Sequence, residues 1–172
     1  MSDPIRVGHI TQADVYIDGN RFIGRVKEFE IPEFGHKMVS HEALGMIGIL
    51  ELPSRAVEAL KGKIVFDYVD YEADQLILNP TKVLYWQLHA FVDVFDAAGV
   101  NTGKSHKRIL TVGVMFSKSN ALSLKLGENA ERELEVSVVS LIDKVSTVAI
   151  PLLEYDAFNR IYNINGVPVW PD

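Results

Sequence analysis

What most constrains this chain is a period-two alternation of apolar and polar residues that recurs along much of its length. Such a pattern fits half-buried strands and little else. From Lys107 to Lys118, Leu110, Val112, Val114 and Phe116 face one way, while Thr111, Gly113 and Ser117 face the other. Between Glu131 and Asp143, Leu134, Val136, Val138 and Ile142 share one face, opposite Glu131, Glu133, Glu135 and Ser137. A third extended run spans Val83 to Asp96 and turns through 97–104 into the strand at 107. A fourth, Val57 to Val69, sets Leu60, Ile64, Phe66 and Tyr68 against Lys61, Lys63 and Asp67. Just before it, Pro53 to Leu60 could be taken for a short helix capped by Ser54. Gly62 and the β-branched residues that follow favour extension.

Turn chemistry divides these runs. Asp18-Gly19-Asn20 separates Asp14–Ile17 from a run that starts at Arg21 and ends near Ile31-Pro32. Asp-Gly between β-prone segments predicts a tight hairpin, because both residues tolerate positive φ. Gly24, where alternation falters, suggests a bulge. Asp70–Leu78 is the one helix candidate: its first turn is acidic, and Asn79-Pro80 ends it. An apolar run from Val148 to Leu153 leads to the closing segment around Tyr155 and Ile161–Trp170. There is no internal repeat, linker or low-complexity tract. The expectation is a single domain over 1–172, mainly β, closed as a sandwich or barrel with one short flanking helix.

Composition narrows function by exclusion. The 172 residues include 17 Lys and Arg against 23 Asp and Glu, a net charge of -6. A broad basic surface for nucleic acid is therefore not expected. With no cysteine, disulfides, thiolate metal sites and thiol nucleophiles are all excluded. The start lacks the pattern of a secretory signal, and no apolar run approaches the ~20 residues of a spanning helix, so a soluble protein without membrane insertion of its own is expected.

The sequence offers no catalytic constellation. His36 and His41 lie five apart without a metal-site pattern around them, His89 falls within a strand, and His106 joins Lys104, Lys107 and Arg108 in a short basic cluster. There is no nucleophile elbow, and Gly45-Met46-Ile47-Gly48 lacks the lysine and helix of a phosphate loop. Neither an enzyme nor a bound cofactor is expected.

Two other features point to interaction. Residues 32–46 form no convincing element yet hold Phe34, Met38, Val39, Leu44 and Met46. A long apolar connection either folds onto its own core or is covered by another copy of the chain. The second feature is the Glu131/Glu133/Glu135 stripe, where like charges about 7 Å apart repel unless solvated. It marks either an exposed outer face or the wall of a water-filled channel. Residues 128–172 hold eight acids and three bases, so much of the negative charge is concentrated there.

The ends of the chain carry a resemblance. Val15-Tyr16-Ile17-Asp18-Gly19-Asn20-Arg21-Phe22-Ile23-Gly24-Arg25-Val26, followed by Phe29-Glu30-Ile31-Pro32, resembles the opening of major tail tube proteins of contractile-tailed phages and R-type bacteriocins. A basic loop ending in Gly-Met follows in that family, here Lys37 through Leu44-Gly45-Met46, with Leu44-Gly45 in place of a glycine pair. Leu126–Glu131 resembles the segment before the family's last long strand, and Ile161-Tyr162-Asn163-Ile164-Asn165-Gly166-Val167 resembles its closing segment.

The resemblance implies a ring-forming, tail-tube-like fold and a structural role in the virion tail, assembled in the host cytoplasm. Hexameric rings would stack into a hollow tube beside sheath, tape measure and baseplate proteins, and DNA would pass through without specific binding. Glu131, Glu133 and Glu135 would then face the lumen, and the 32–46 loop would reach the next ring. A bacteriocin or secretion-system tube is the alternative within this class, and a small-ligand-binding β-barrel is the alternative outside it.

Overall fold

The structure, a computed structural model, describes residues 6–21, 26–42, 47–68, 71–119 and 130–170. Its elements in chain order are β1 (Val7–Ile17), β2 (Asn20–Arg21), β3 (Val26–Glu30), β4 (His36–His41), β5 (Leu50–Val57), β6 (Leu60–Phe66), α1 (Tyr71–Ile77), β7 (Leu84–Asp96), β8 (Gly99–Val100), β9 (His106–Ser119), β10 (Arg132–Val145), β11 (Leu153–Asp156), β12 (Ile161–Ile164) and β13 (Val167–Pro168). Among the described residues the fold is mainly β with one short helix, as the sequence predicts.

β9 and β10 form the spine. They pair antiparallel from Leu134↔Ser119 to Val145↔Arg108, and the register shifts between Glu135 and Val136 and again between Val138 and Ser140. Bulges bend a strand and increase its twist, so β10 can serve two neighbourhoods. Its first half pairs with β6, from Arg132↔Phe66 to Val138↔Leu60, and β6 in turn pairs with β3. Its second half pairs with β11, which leads to β12 and β13. On the far side of β9 come β7 and then β1, which pairs with β7 over most of its length and with β2 at the hairpin.

The core lies where the two bent halves face each other. Trp86 of β7 meets Phe66 of β6 at 5.8 Å and Phe29 of β3 at 6.0 Å between ring centroids, although β7 is hydrogen-bonded to neither strand. Around these rings are buried Ile17, Leu60, Ile64, Leu84, Val112, Val114, Leu134, Val136 and Val138. α1 flanks this core through buried Ile77. Its Asp74 holds Arg132, and Asn79 ends it by accepting a hydrogen bond from the Thr81 amide.

Several expectations need correction. Asp18 (φ 43°) and Gly19 (φ 86°) form the hairpin turn, but Asn20 already pairs with Ile17 as the first residue of β2. The run expected from Val57 to Val69 is two strands with a corner at 58–59, and Tyr68 is exposed beyond the end of β6. In β10 the bulge before Ser140 turns Leu141 and Asp143 inward in place of Ile142. Residues 32–46 are not a featureless loop, because 36–41 form β4. Of the apolar run from Val148 to Leu153, Leu153 alone lies in a strand, as the first residue of β11. Gly24 lies outside the described residues.

Candidate assembly surfaces

Two surfaces stand out among the described residues. The first is the outward face of β3, β6, β10 and the 115–118 half of β9. With Leu60, Ile64, Phe66, Leu134 and Val136 turned to the core, alternation sends the residues between them to the other side. Each glutamate of the stripe meets a lysine there. Lys27 Nζ lies 2.5 Å from Glu131 Oε1, Lys63 Nζ 2.9 Å from Glu133 Oε1, and Lys118 Nζ 3.9 Å from Glu135 Oε1.

Register explains the arrangement, since Glu135 sits opposite Lys63 on one side of β10 and opposite Lys118 on the other. The hydrogen bonds that Lys27 and Lys63 donate to their partner carboxylates raise the pKa values of both lysines, which keeps the ammonium groups charged. Repulsion along the stripe is thus relieved by pairing as well as by water. The face also carries Glu28, Glu30 and Lys61, and a shallow open cleft on it is lined by Glu30, Lys61, Lys63, Ser117, Glu135 and Ser137.

The second surface is the β4–β5 hairpin. Its strands pair with each other, from His36↔Val57 to His41↔Leu50, and among the described residues with nothing else. The cross-strand pair Val39↔Leu52 and, two residues on, Leu50 share one face. Met38, Val39, Leu50 and Leu52 are all exposed, and Ile47 near the tip is fully so.

The base of the hairpin is anchored. Phe34 packs at 5.3 Å against both Tyr155 and Tyr162, His36 Nε2 lies 3.2 Å from the Tyr162 hydroxyl, and the Arg55 guanidinium stands 5.7 Å over the Trp170 ring. Phe34 is therefore part of the subunit's own packing, whereas Met38 and Val39 project from it. Leu44 and Met46 lie outside the described residues.

Lys27, Lys63 and Lys118, together with Leu50 and Leu52, are the surface residues that the sequence reading did not bring together. Lys63 was visible on the polar side of its strand, but only cross-strand register pairs it with a glutamate. Among the described residues, no group of three His, Cys, Asp or Glu side chains could hold a metal ion.

The described residues thus present an exposed apolar hairpin and a charged sheet face. The profile of the phage tail tube protein FII family matches residues 8–171, and the chain belongs to that family. It is a tail tube protein, structural and not enzymatic.

The fold is similar to a chain of the sheath–tube complex of an extracellular contractile injection system, PVC, in its extended state. That match has a TM-score of 0.53 and 8% identity over 77% of this chain and 88% of that one. It is also similar to a chain from the PVC sheath/tube terminator, with a TM-score of 0.52 and 8% identity over 83% and 98%. No curated protein matches the sequence.

Proposed function

We propose that six copies of this chain close into a ring, that rings stack into a hollow tube, and that the charged face of β3, β6, β10 and β9 lines its bore. The observation that supports this most is the pair of open edges bounding that face. Among the described residues, β3 pairs only with β6, and Met115–Lys118 pair only with β10. Open edges invite strand addition, and joining the β3 edge of one copy to the β9 edge of the next would leave none within the ring.

Six copies would give a barrel of about 24 strands, with a backbone diameter of about 48 Å at ~4.8 Å spacing and ~40° tilt. That bore admits a DNA duplex, and DNA conduction during ejection is the role we assign to it. The chain's likeness to PVC chains, from an injection system, favours a second reading in which the same tube belongs to an injection particle. Stacking is head-to-tail and extends the tube, with the β4–β5 hairpin reaching the adjacent ring. Sheath, tape measure and baseplate proteins are the expected partners.

The absence of cysteine makes the ring edge testable by cross-linking. Within one copy, β3 and β9 are separated by β6 and β10, about 14 Å at the usual strand spacing. That is too far for a disulfide. A panel of double variants, with one cysteine at Val26, Glu28 or Glu30 and one at Met115 or Ser117, is assembled and oxidised. At least one pair should give a denatured ladder that ends at six chains. A panel yielding only monomers from particles seen as tubes by electron microscopy would remove this edge from the ring.

A further inference from the structure

We infer that Lys27, Lys63 and Lys118 make the bore indifferent to the sign of its cargo's charge, by cancelling the glutamates that would otherwise render it anionic. The inference rests on the reading that this face lines the passage.

The sequence alone presents a bare acidic stripe. In the fold, each of its three glutamates meets a lysine supplied by a different strand: Lys27 from β3, Lys63 from β6 and Lys118 from β9. Including Glu28, Glu30 and Lys61, the described part of the face holds four lysines against five glutamates, with Asp67 also acting on Lys27, so most of its negative charge is compensated. Exposed pairs of this kind add little to folding stability; among these side chains only one of Lys63's pair is as little as 36% exposed. What they do change is the field. Charges 2.5 to 3.9 Å apart act as small dipoles at a distance, and at ~0.1 M salt a residual charge is screened over about 10 Å.

An anionic wall would repel duplex DNA but retain a basic polypeptide. A cationic wall would hold DNA through its phosphates. The compensated wall does neither, so a polymer of either sign slides against hydrated, mutually satisfied side chains.

Three sets of assembled tubes test this, each sedimented with a fluorescent oligolysine or a short fluorescent duplex at low and moderate salt. Wild-type tubes should retain neither probe. The Lys27→Gln/Lys63→Gln/Lys118→Gln variant leaves one lysine against five glutamates, and should bind oligolysine at least roughly tenfold more tightly, with the gain lost as salt rises. The Glu131→Gln/Glu133→Gln/Glu135→Gln variant leaves four lysines against two glutamates, and should bind the duplex more tightly by a similar factor and with a similar salt dependence.

Should either triple variant fail to assemble, the exchange Lys63→Glu/Glu133→Lys keeps the pair and should behave as wild type, whereas Lys63→Gln alone should shift towards oligolysine. Wild-type tubes that hold oligolysine as tightly as the triple lysine variant would overturn the inference. A gold label on a unique thiol, Ser137→Cys, reports separately on the underlying reading. Gold on the outer wall removes the face from the bore, whatever the probes do.

Discussion

At Gly113 the sheet has room for a hydrogen and little more. This residue of β9 faces Ser140 immediately after the second bulge, and a β-carbon there would lie 2.3 Å from Ser140 Oγ and 3.3 Å from the Tyr85 ring. Gly113→Ala should therefore destabilise the subunit by about 1–2 kcal/mol through overpacking. Ser140→Ala in the same chain should recover part of that, because the two sites share one clash; urea denaturation of the four proteins measures both terms.

The same bulge marks where sequence reading ran out. Strict alternation places Gly113 on the polar side and Ile142 in the core, yet Gly113 is buried and β10 turns Leu141 and Asp143 inward. A bulge adds one residue without altering composition, so the pattern before it holds and the pattern after it inverts. Asp143, 5% exposed, is tolerated inside because Arg108 meets both of its carboxylate oxygens, with Nε 2.8 Å from Oδ1.

Among the elements, those with a core face were legible: β6, β7, β9, the first half of β10, and α1 all follow their patterns. The β4–β5 hairpin did not show itself for a physical reason. Alternation records burial on one side, and this hairpin stands clear of the core with Met38 and Val39 exposed on opposite faces. The charged ladder was half legible, since the glutamate spacing is local while its lysines come from 104, 70 and 17 residues away along the chain.

The turn between β11 and β12 illustrates how an element end responds to pH. Asp156 accepts hydrogen bonds from the Phe158 and Asn159 amides, both at 2.9 Å, and from the Asn159 side chain at 2.8 Å. Backbone donation from Asn159 is the main cause that lowers its pKa. A carboxylate depressed in the folded state stabilises it above the unfolded pKa of about 3.9, and that contribution disappears as pH falls through the lower folded value. Asp156→Ala should accordingly flatten the fall in stability below about pH 4, as read from denaturation midpoints between pH 2 and 6. An unchanged slope would mean that the turn is equally formed with the acid protonated.

For the molecule as a whole, the hairpin separates folding from assembly. Its exposed apolar residues Met38, Val39, Leu50 and Leu52 lie outside the core cluster, while its base is held by Val57, Phe34, His36 and Tyr162. A charge placed near its middle therefore touches nothing the subunit needs, and surface changes of this kind usually stay within about 0.5 kcal/mol. If the exposed face of Val39, Leu50 and Leu52 docks on a neighbouring ring, the same charge would be buried there without a partner, at a cost large enough to block stacking. Met38→Asp and Val39→Asp, singly and together, should leave the thermal midpoint of the dispersed subunit nearly unchanged while tubes shorten or vanish in electron micrographs. Val39→Asp should have the larger effect, because it lies on the face shared with Leu50 and Leu52. Equal loss of folding and of tubes would return the hairpin to the subunit's own stability, and normal tubes from the double variant would leave ring stacking to another surface.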